Sequence, residues 1–302
     1  MTPTFSVIIP AHNRRALLPR TLETVFAQTQ AAHEVIVVDD GSDDGTAEYV
    51  RSQDQRVRLL QQPHQGPGAA RNAGAAVASG VYLAFLDSDD LWLPWTLATF
   101  AEVIERHLEP SLICGKFVQF AAEDELARHR AVPVRADVFT DYLSSWKQQL
   151  AVGAGMVAIR REAFLAVGGF AAGDVNLEDH DLTLKLGTAR GFVQVLEPAT
   201  LGWRRHAGGV TNSVSKSLAG CFMLLEAERR DRYPGGAGRA AARRNIITSH
   251  ARSVSLECLR AGRVADACRV YLATLWWHLS LGRVKYVLAF PLYALGATFR
   301  RS

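Results

Sequence analysis

The sequence predicts a doubly wound α/β fold: a mostly parallel sheet flanked by helices, followed by a helical C-terminal extension. Three observations carry that expectation. Short β-branched runs alternate with amphipathic stretches through the first 110 residues, a polar cluster stands at the end of three of those runs, and after about residue 215 the chain turns rich in Ala, Leu and Arg. Strand, helix, strand at this spacing builds βαβ units, whose parallel strands are covered on both faces and therefore read as continuous apolar runs.

Taken in order, strands are expected at 5–10 (FSVIIP), 34–39 (EVIVVD), 57–61 (VRLLQ) and 81–87 (VYLAFLD). Between them, 14–29 places Leu18, Leu22, Val25 and Phe26 on one helical face, and 44–52 and 67–79 also read as helices. From about 110 the pattern is mixed, with strands expected at 111–120, 155–161, 192–196 and 200–206 and a helix at 178–186. The remainder is helical, with a break at 233–238 (YPGGAG). The expected organisation is a body over 1–215, whose halves meet near 110, and an extension over 216–302.

Composition narrows the function classes. The 302 residues are 48% apolar, enough for a proper core, and the mean hydropathy of +0.01 is high for a fully soluble protein. Cys114, Cys221, Cys258 and Cys268 form no CxxC pair and no cluster with histidine, so they read as small buried hydrophobes in a reducing compartment. The opening MTPTFSVIIP runs straight into a strand, and no secretion leader is expected. Residues 1–227 hold 20 Lys and Arg against 26 Asp and Glu, a net charge of −6, whereas 228–302 hold 14 against 4, a net of +10. A basic extension on an acidic body points to an anionic surface as its partner. No nucleic-acid recognition motif accompanies the charge, so nucleic acid is not expected. The absence of GxGxxG after the first strand argues against a dehydrogenase-type site, and the absence of GxxxxGK[ST] against a P-loop enzyme.

In open parallel sheets, ligands bind beyond the carboxyl ends of the strands. The first strand delivers Pro10-Ala11-His12-Asn13 there, the second Asp39-Asp40-Gly41-Ser42, and the fourth Asp87-Ser88-Asp89-Asp90. A Gly-rich turn at 65–74 opens the helix before the fourth strand and carries Arg71 in its first turns, an arrangement that favours anionic groups. Crowded carboxylates repel one another unless something neutralises them. Mg²⁺ or Mn²⁺ resolves the conflict, because it takes one or two carboxylates together with phosphate oxygens. The clusters are therefore expected to gather a divalent cation, and with it a diphosphate. Plainer readings stand beside this one: Asp87 to Asp90 can cap a helix starting near Leu93, Asp39, Asp40 and Asn13 can be turn residues, and Ala69, Ala73 and Gly74 can serve close packing on the sheet.

SVIIPAHNR (6–14), VIVVDDGSDDGT (35–46), GPGAARNAG (66–74), FLDSDD (85–90), GGF (168–170) and LEDHDLTLKL (177–186) occur in an order and at a spacing that resemble the family 2 glycosyltransferases of GT-A fold, over roughly residues 4–210. The resemblance implies inverting, hexosyltransferase-type transfer from a nucleotide-diphospho-sugar, with a UDP-sugar expected, to a hydroxyl acceptor. It makes 1–110 the nucleotide-binding half and 111–215 the acceptor half. Pro10, Asn13, Asp39 and Arg71 then contact the nucleotide, with Asp39 facing the base. Asp87 and Asp89 match the family's DXD pair, Asp87 reaching the ribose and Asp89 ligating the metal. Glu178 and Asp179 match its ED motif, in which the aspartate takes the acceptor's proton and Glu178 is a candidate contact to acceptor or phosphate. His206 is the candidate second metal or diphosphate contact, and Arg205, like Arg204, a candidate phosphate contact.

Chemistry asks for the base independently, since an alcohol attacks a sugar carbon poorly without a proton acceptor, and a positioned base is worth roughly 10²–10⁴ in rate. Structural alternatives remain: first-turn helix charges for Glu178 and Asp179, a structural role for His206, and solvated surface positions for Arg204, Arg205, His180 and Asp181. Two rival functions also remain, a sugar nucleotidylyltransferase and a non-catalytic nucleotide-sugar-binding or scaffolding protein.

In the extension, Val270–Gly282 and Tyr286–Phe299 are uncharged runs of 13 and 14 residues separated by Arg283 and Lys285. Neither reaches the ~20 residues that span a bilayer. Trp276, Trp277, Tyr286 and Tyr293 among flanking arginines give the composition of a segment lying in the membrane interface. The expected setting is peripheral, on the cytoplasmic face of the cell membrane, with a lipid-linked or envelope glycan as acceptor. A helical pair packed on protein is the alternative.

Overall fold

Phe5–Ala11 (β1) is buried along its whole length, as an apolar strand covered on both faces must be. In the computed structural model, which describes residues 2–53, 56–148, 150, 152–205 and 213–299, it heads a series of α1 (Leu18–Phe26), β2 (Glu34–Asp40), α2 (Thr46–Arg51), β3 (Arg58–Gln62), α3 (Pro67–Val77) and β4 (Tyr82–Phe85). There follow β5 (Leu91–Trp92), α4 (Thr96–Arg106), β6 (Leu112–Cys114), β7 (Phe117–Phe120), β8 (Arg135–Phe139), β9 (Val157–Arg160), α5 (Arg161–Ala166), α6 (Glu178–Lys185), β10 (Phe192–Glu197), β11 (Leu201–Arg204) and four further helices, α7 (Val214–Arg229), α8 (Ala240–Arg260), α9 (Val264–Ser280) and α10 (Val284–Phe299). Contacts divide the chain into two units: Met1–Tyr142, Leu150–Asp174 and Ala189–Ala207 form the first, and Leu143–Gln149, Val175–Thr188 and Gly208–Ser302 the second.

The first unit holds an eight-stranded sheet in the order β3-β2-β1-β4-β9-β6-β10-β8 and a small sheet β5-β11-β7. In the large sheet only β9 and β8 run against the rest, so it is mostly parallel, as expected. Register sets the site. Ala11 pairs with Asp39 and Asp39 with Gln61, so β1, β2 and β3 end level. Ile8 pairs with Phe85, and Leu86 N donates to Ile8 O, which carries the 87–90 turn out beside the same edge.

Two helices show why the sequence folds this way. In α1, Leu18, Leu22 and Val25 are buried as the spacing predicts. Phe26 leaves that face at the helix end and is exposed, with the Arg56 guanidinium over its ring at 4.7 Å. In α3, Pro67 starts the helix and Gly74 lets it lie close on the sheet, where a Cβ would come within 2.6 Å of Ile8 Cγ2.

The second unit contains α6 and the four C-terminal helices. Its central polar device is the buried pair Arg243–Glu228, with Arg243 Nε donating to Glu228 Oε2 at 2.6 Å. Arg243 Nη1 also donates to the carbonyls of Pro234 and Gly236, both at 2.9 Å. One side chain thereby fixes the break between α7 and α8. The same break turns Tyr233 inward, where its hydroxyl donates to Asp181 Oδ1 at 2.9 Å, and Lys185 sits 2.6 Å from Asp181 Oδ2. Asp181, expected on a solvated face, is therefore buried. His180, expected as an exposed neighbour, is also largely enclosed, its ring 3.6 Å from that of His250 on α8. Among the described residues, no helix is long and apolar enough to cross a membrane.

Arg243→Met leaves the buried Glu228 carboxylate with only the half-exposed Arg244, whose Nε lies 3.3 Å from Oε1, and takes the donor from the carbonyls of Pro234 and Gly236, so it should cost on the order of 3 kcal/mol in urea unfolding. Loss below about 1 kcal/mol would contradict the anchoring role. Burial lowers the His180 imidazole to about 4 and His250 well below its ordinary 6.5, helped there by the neighbouring His180. Both groups stay neutral in the native state while the unfolded chain takes protons below about 6.5. Stability is thus present above that pH and lost as pH falls towards 4, by up to about 1.4 kcal/mol per pH unit for each group. His250→Leu should flatten the decline of unfolding free energy between pH 7 and 5. An unchanged slope would overturn this account.

Candidate active site

The end of β1 turns at Asn13, whose φ of 51° is a left-handed conformation that Asn tolerates better than most residues. Asn13 N donates to Ser42 Oγ and Asn13 Oδ1 accepts from Asp43 N, both at 2.9 Å. The loop after β1 is in this way clamped to the loop after β2. Pro10 lies buried one step before, paired in register with Val38. Asp39 is buried and accepts from Ser42 N at 3.3 Å and from Gln61 Nε2 at 3.2 Å.

Asp40, to which the sequence assigns no separate role, is the best-connected carboxylate of this edge. Its Oδ1 accepts from Gln62 Nε2 at 2.7 Å and Gln65 N at 2.9 Å; its Oδ2 accepts from Gly66 N at 2.8 Å and lies 2.9 Å from His64 Nδ1. Gly66 takes φ 91° there, and a Cβ on it would come within 2.8 Å of Gly173 O. The segment leading into α3 is thus pinned to β2, and the pinning sets where Arg71 points. The signal in the sequence is the Asp-Asp doublet itself: at the end of a strand its members face opposite ways, so only one can serve as a contact on a given side.

At the end of β4, Arg71 Nη2 donates to Asp87 Oδ1 at 2.6 Å, and the Arg71 guanidinium lies 5.1 Å over the Phe170 ring. Two residues that sequence reasoning assigned to nucleotide binding are brought together. Arg14 Nη2 stands 3.3 Å from Asp89 Oδ2. Asp90 is buried and accepts from Arg204 N at 2.8 Å. Burial first, then the charges of Asp87 and Asp89, push its carboxyl up to about 9, so it is held as the neutral acid at pH 7. Thr21 Oγ1, from α1, donates to the carbonyls of Ser88 and Asp90 at 3.1 and 2.9 Å and holds the turn in place. The three carboxylates consequently divide: Asp90 supports the turn, while Asp87 and Asp89 keep 35% and 17% of their side-chain surface exposed.

Arg204 is spent on the fold, its Nε donating to Asp89 O at 2.8 Å and its Nη2 to Glu123 Oε1 at 3.1 Å. Arg205 anchors through its backbone, N to Phe120 O at 2.9 Å, and leaves its side chain exposed. His206 lies outside the described residues. Asp87 and Asp89 supply hard oxygen donors, and among the described residues no group of three or more His, Cys, Asp or Glu side chains forms a complete cage. That donor set fits a cation that completes its shell with substrate phosphate oxygens.

Glu178 and Asp179 belong to the second unit, where they open α6 directly after Leu177, a residue held at φ 69°. Asp179 Oδ1 accepts from His180 N at 2.7 Å, and the carboxylate remains partly exposed.

The family model described as "Glycosyl transferase family 2" matches residues 6–171, which run from β1 to just beyond α5. An uncharacterized glycosyltransferase of Haemophilus influenzae is 32% identical over 200 residues, 65% of this chain and 66% of that protein. The succinoglycan biosynthesis protein ExoO of Rhizobium meliloti is 36% identical over 136 residues, 42% of this chain and 39% of that one. Neither match reaches beyond about two thirds of the relative's length. The crystal structure of S. aureus TarS 1–349 in complex with UDP superposes with a TM-score of 0.64 at 20% identity, covering 99% of this chain and 91% of that one, a likeness of fold. With more than half of its length matched by the family model, the chain belongs to glycosyl transferase family 2.

Proposed function

We propose that the protein is an inverting, metal-dependent glycosyltransferase that moves a sugar from a nucleotide-diphospho-sugar to a hydroxyl group. The observation that carries this reading is the convergence of Asp87, Asp89 and Arg71 at the ends of β1, β2 and β4. Pro10, Asn13 and Asp39 border the nucleotide, Asp87 holds its ribose, and Arg71 offers positive charge to the diphosphate. Asp89 is the ligand for Mn²⁺ or Mg²⁺, with His206 as the candidate second contact, and a cation there supplies charge neutralisation for the departing diphosphate. Arg205, with its exposed side chain, is the candidate for a further phosphate contact.

In the reaction, the acceptor oxygen attacks the anomeric carbon, its proton passes to Asp179, and the bond from that carbon to the diphosphate oxygen breaks. One displacement inverts the configuration, and the nucleoside diphosphate leaves. Glu178 adjoins the base and contacts acceptor or phosphate. A UDP-sugar is the donor this reading favours, supported by the UDP bound in the fold neighbour TarS. A polysaccharide-type acceptor, lipid-linked or in the cell envelope, is supported by the relative named for succinoglycan biosynthesis. In this reading the reaction takes place at the cytoplasmic face of the membrane, a setting supported by the net charge of +10 over residues 228–302.

Asp179→Asn should leave nucleotide-sugar affinity within about twofold and lower the transfer rate by roughly 10² or more. Unchanged turnover would remove Asp179 as the base. Asp89→Ala should abolish the part of diphosphate affinity that depends on Mn²⁺. Intact metal-dependent binding in that variant would remove the metal role.

A further inference from the structure

The last two helices carry large apolar side chains on their exposed faces as well as on their buried ones. A helix that packs only on protein buries its most apolar face. On α9 the buried positions are Ala267, Val270, Thr274 and His278. The exposed stripe, at spacings of four and three, is Leu272, Trp276 and Leu279, with Trp276 76% exposed against 0% for His278. On α10, Phe290 and Ala294 are buried while Val284, Leu288, Leu292 and Leu295 face out, Leu288 and Leu292 at 68% and 71%.

The outward leucines do not reflect a detached helix. Tyr271 of α9 stacks on Phe290 of α10 with centroids 4.4 Å apart, and Tyr271 Oη donates to Val287 O at 2.9 Å. Tyr286 Oη lies 2.8 Å from Ser255 Oγ of α8. These contacts fix the rotation of α10 and commit its apolar stripe to the outside. Cations adjoin the stripe. Arg269 precedes Leu272 by one turn on α9, and Lys285 follows Val284 on α10; both are exposed.

We propose that the exposed stripe of α9 and α10 docks flat on a bilayer interface containing anionic phospholipid. The occupant follows from charge and chemistry. Residues 228–302 carry a net charge of +10, which repels a second copy of the same surface and attracts anionic headgroups. Trp276 and Tyr293, both exposed, are the amphipathic rings that settle at the boundary between headgroup and hydrocarbon. Among the described residues no helix is long and apolar enough to cross a membrane, and the proposed docking keeps both helices in the plane of the interface. The cytoplasmic setting rests on the function proposed above; the docking surface is read from the helices alone and is tested without substrate.

The test is sedimentation of the full-length chain with phosphatidylcholine vesicles, with and without phosphatidylglycerol. Binding should be strong with phosphatidylglycerol and weaker by about tenfold or more without it. Trp276→Ser combined with Leu288→Ser removes two exposed side chains and should leave the circular dichroism and nucleoside-diphosphate binding unchanged. The same pair should weaken vesicle binding by about tenfold or more. Arg269→Glu with Lys285→Glu should weaken binding only to the anionic vesicles. A folded wild-type chain that ignores both vesicle types overturns the proposal, as does one that instead forms a dimer abolished by the serine pair. Vesicle binding without any nucleotide binding would sustain the docking surface and reject the glycosyltransferase reading.

Discussion

A carboxylate buried at the end of a strand must be given hydrogen bonds, or its desolvation destabilises the fold by several kcal/mol. Asp40 meets that constraint with the backbone N–H groups of Gln65 and Gly66 and the side chain of Gln62. The solution joins the end of β2, the end of β3 and the start of α3 at one point. Everything on that edge of the sheet inherits its position: the turn of α3 that holds Arg71, the Arg71–Asp87 pair, and through it the exposed oxygens after β4. The stacked rings of His12 and His64, 4.1 Å apart, close the same corner.

The second constraint is repulsion among Asp87, Asp89 and Asp90. The molecule relieves it in three ways at once. Asp90 is buried as the neutral acid, Asp89 faces Arg14, and Asp87 faces Arg71. Arg14 comes from the loop after β1 and Arg71 from α3, so the charge balance depends on how both segments are held at this edge. Under the proposed function a cation with a diphosphate would bring positive and negative charge to the same place and free the arginines for phosphate oxygens. This is why a cluster that is awkward in isolation makes sense as a site for a doubly charged ligand.

Much of this was legible in the sequence because it is local. Apolar runs flanked by turn residues located β1 to β4 to within two residues at either end, and the Asp87 turn followed directly from the end of such a run. What was not legible depends on partners far along the chain. The Asp39-Asp40 doublet shows that its members face opposite ways but not which one pins the start of α3, since Gln62, Gln65 and Gly66, on and after the neighbouring β3, decide that. His180 and Asp181 looked solvent-facing from their own helix, yet His250 and Tyr233 enclose them. β8 escaped notice because RADVF is an edge strand with Val138 exposed and no apolar run to mark it. The outward stripe of α9 lay in the opposite category: its residues were visible as an apolar run, while the burial of Thr274 and His278 in place of Leu272 and Trp276 required the packing.

The central claim is that the ends of β1, β2 and β4 form a site for a nucleoside diphosphate and a divalent cation. The most direct measurement is calorimetric titration of the wild-type chain with a panel of nucleoside diphosphates, each with and without Mn²⁺. The account predicts selective binding of one of them, uridine diphosphate first among the candidates, with affinity that rises when Mn²⁺ is present. A demonstrably folded protein that binds none of them, or binds one equally well without the metal, would contradict it.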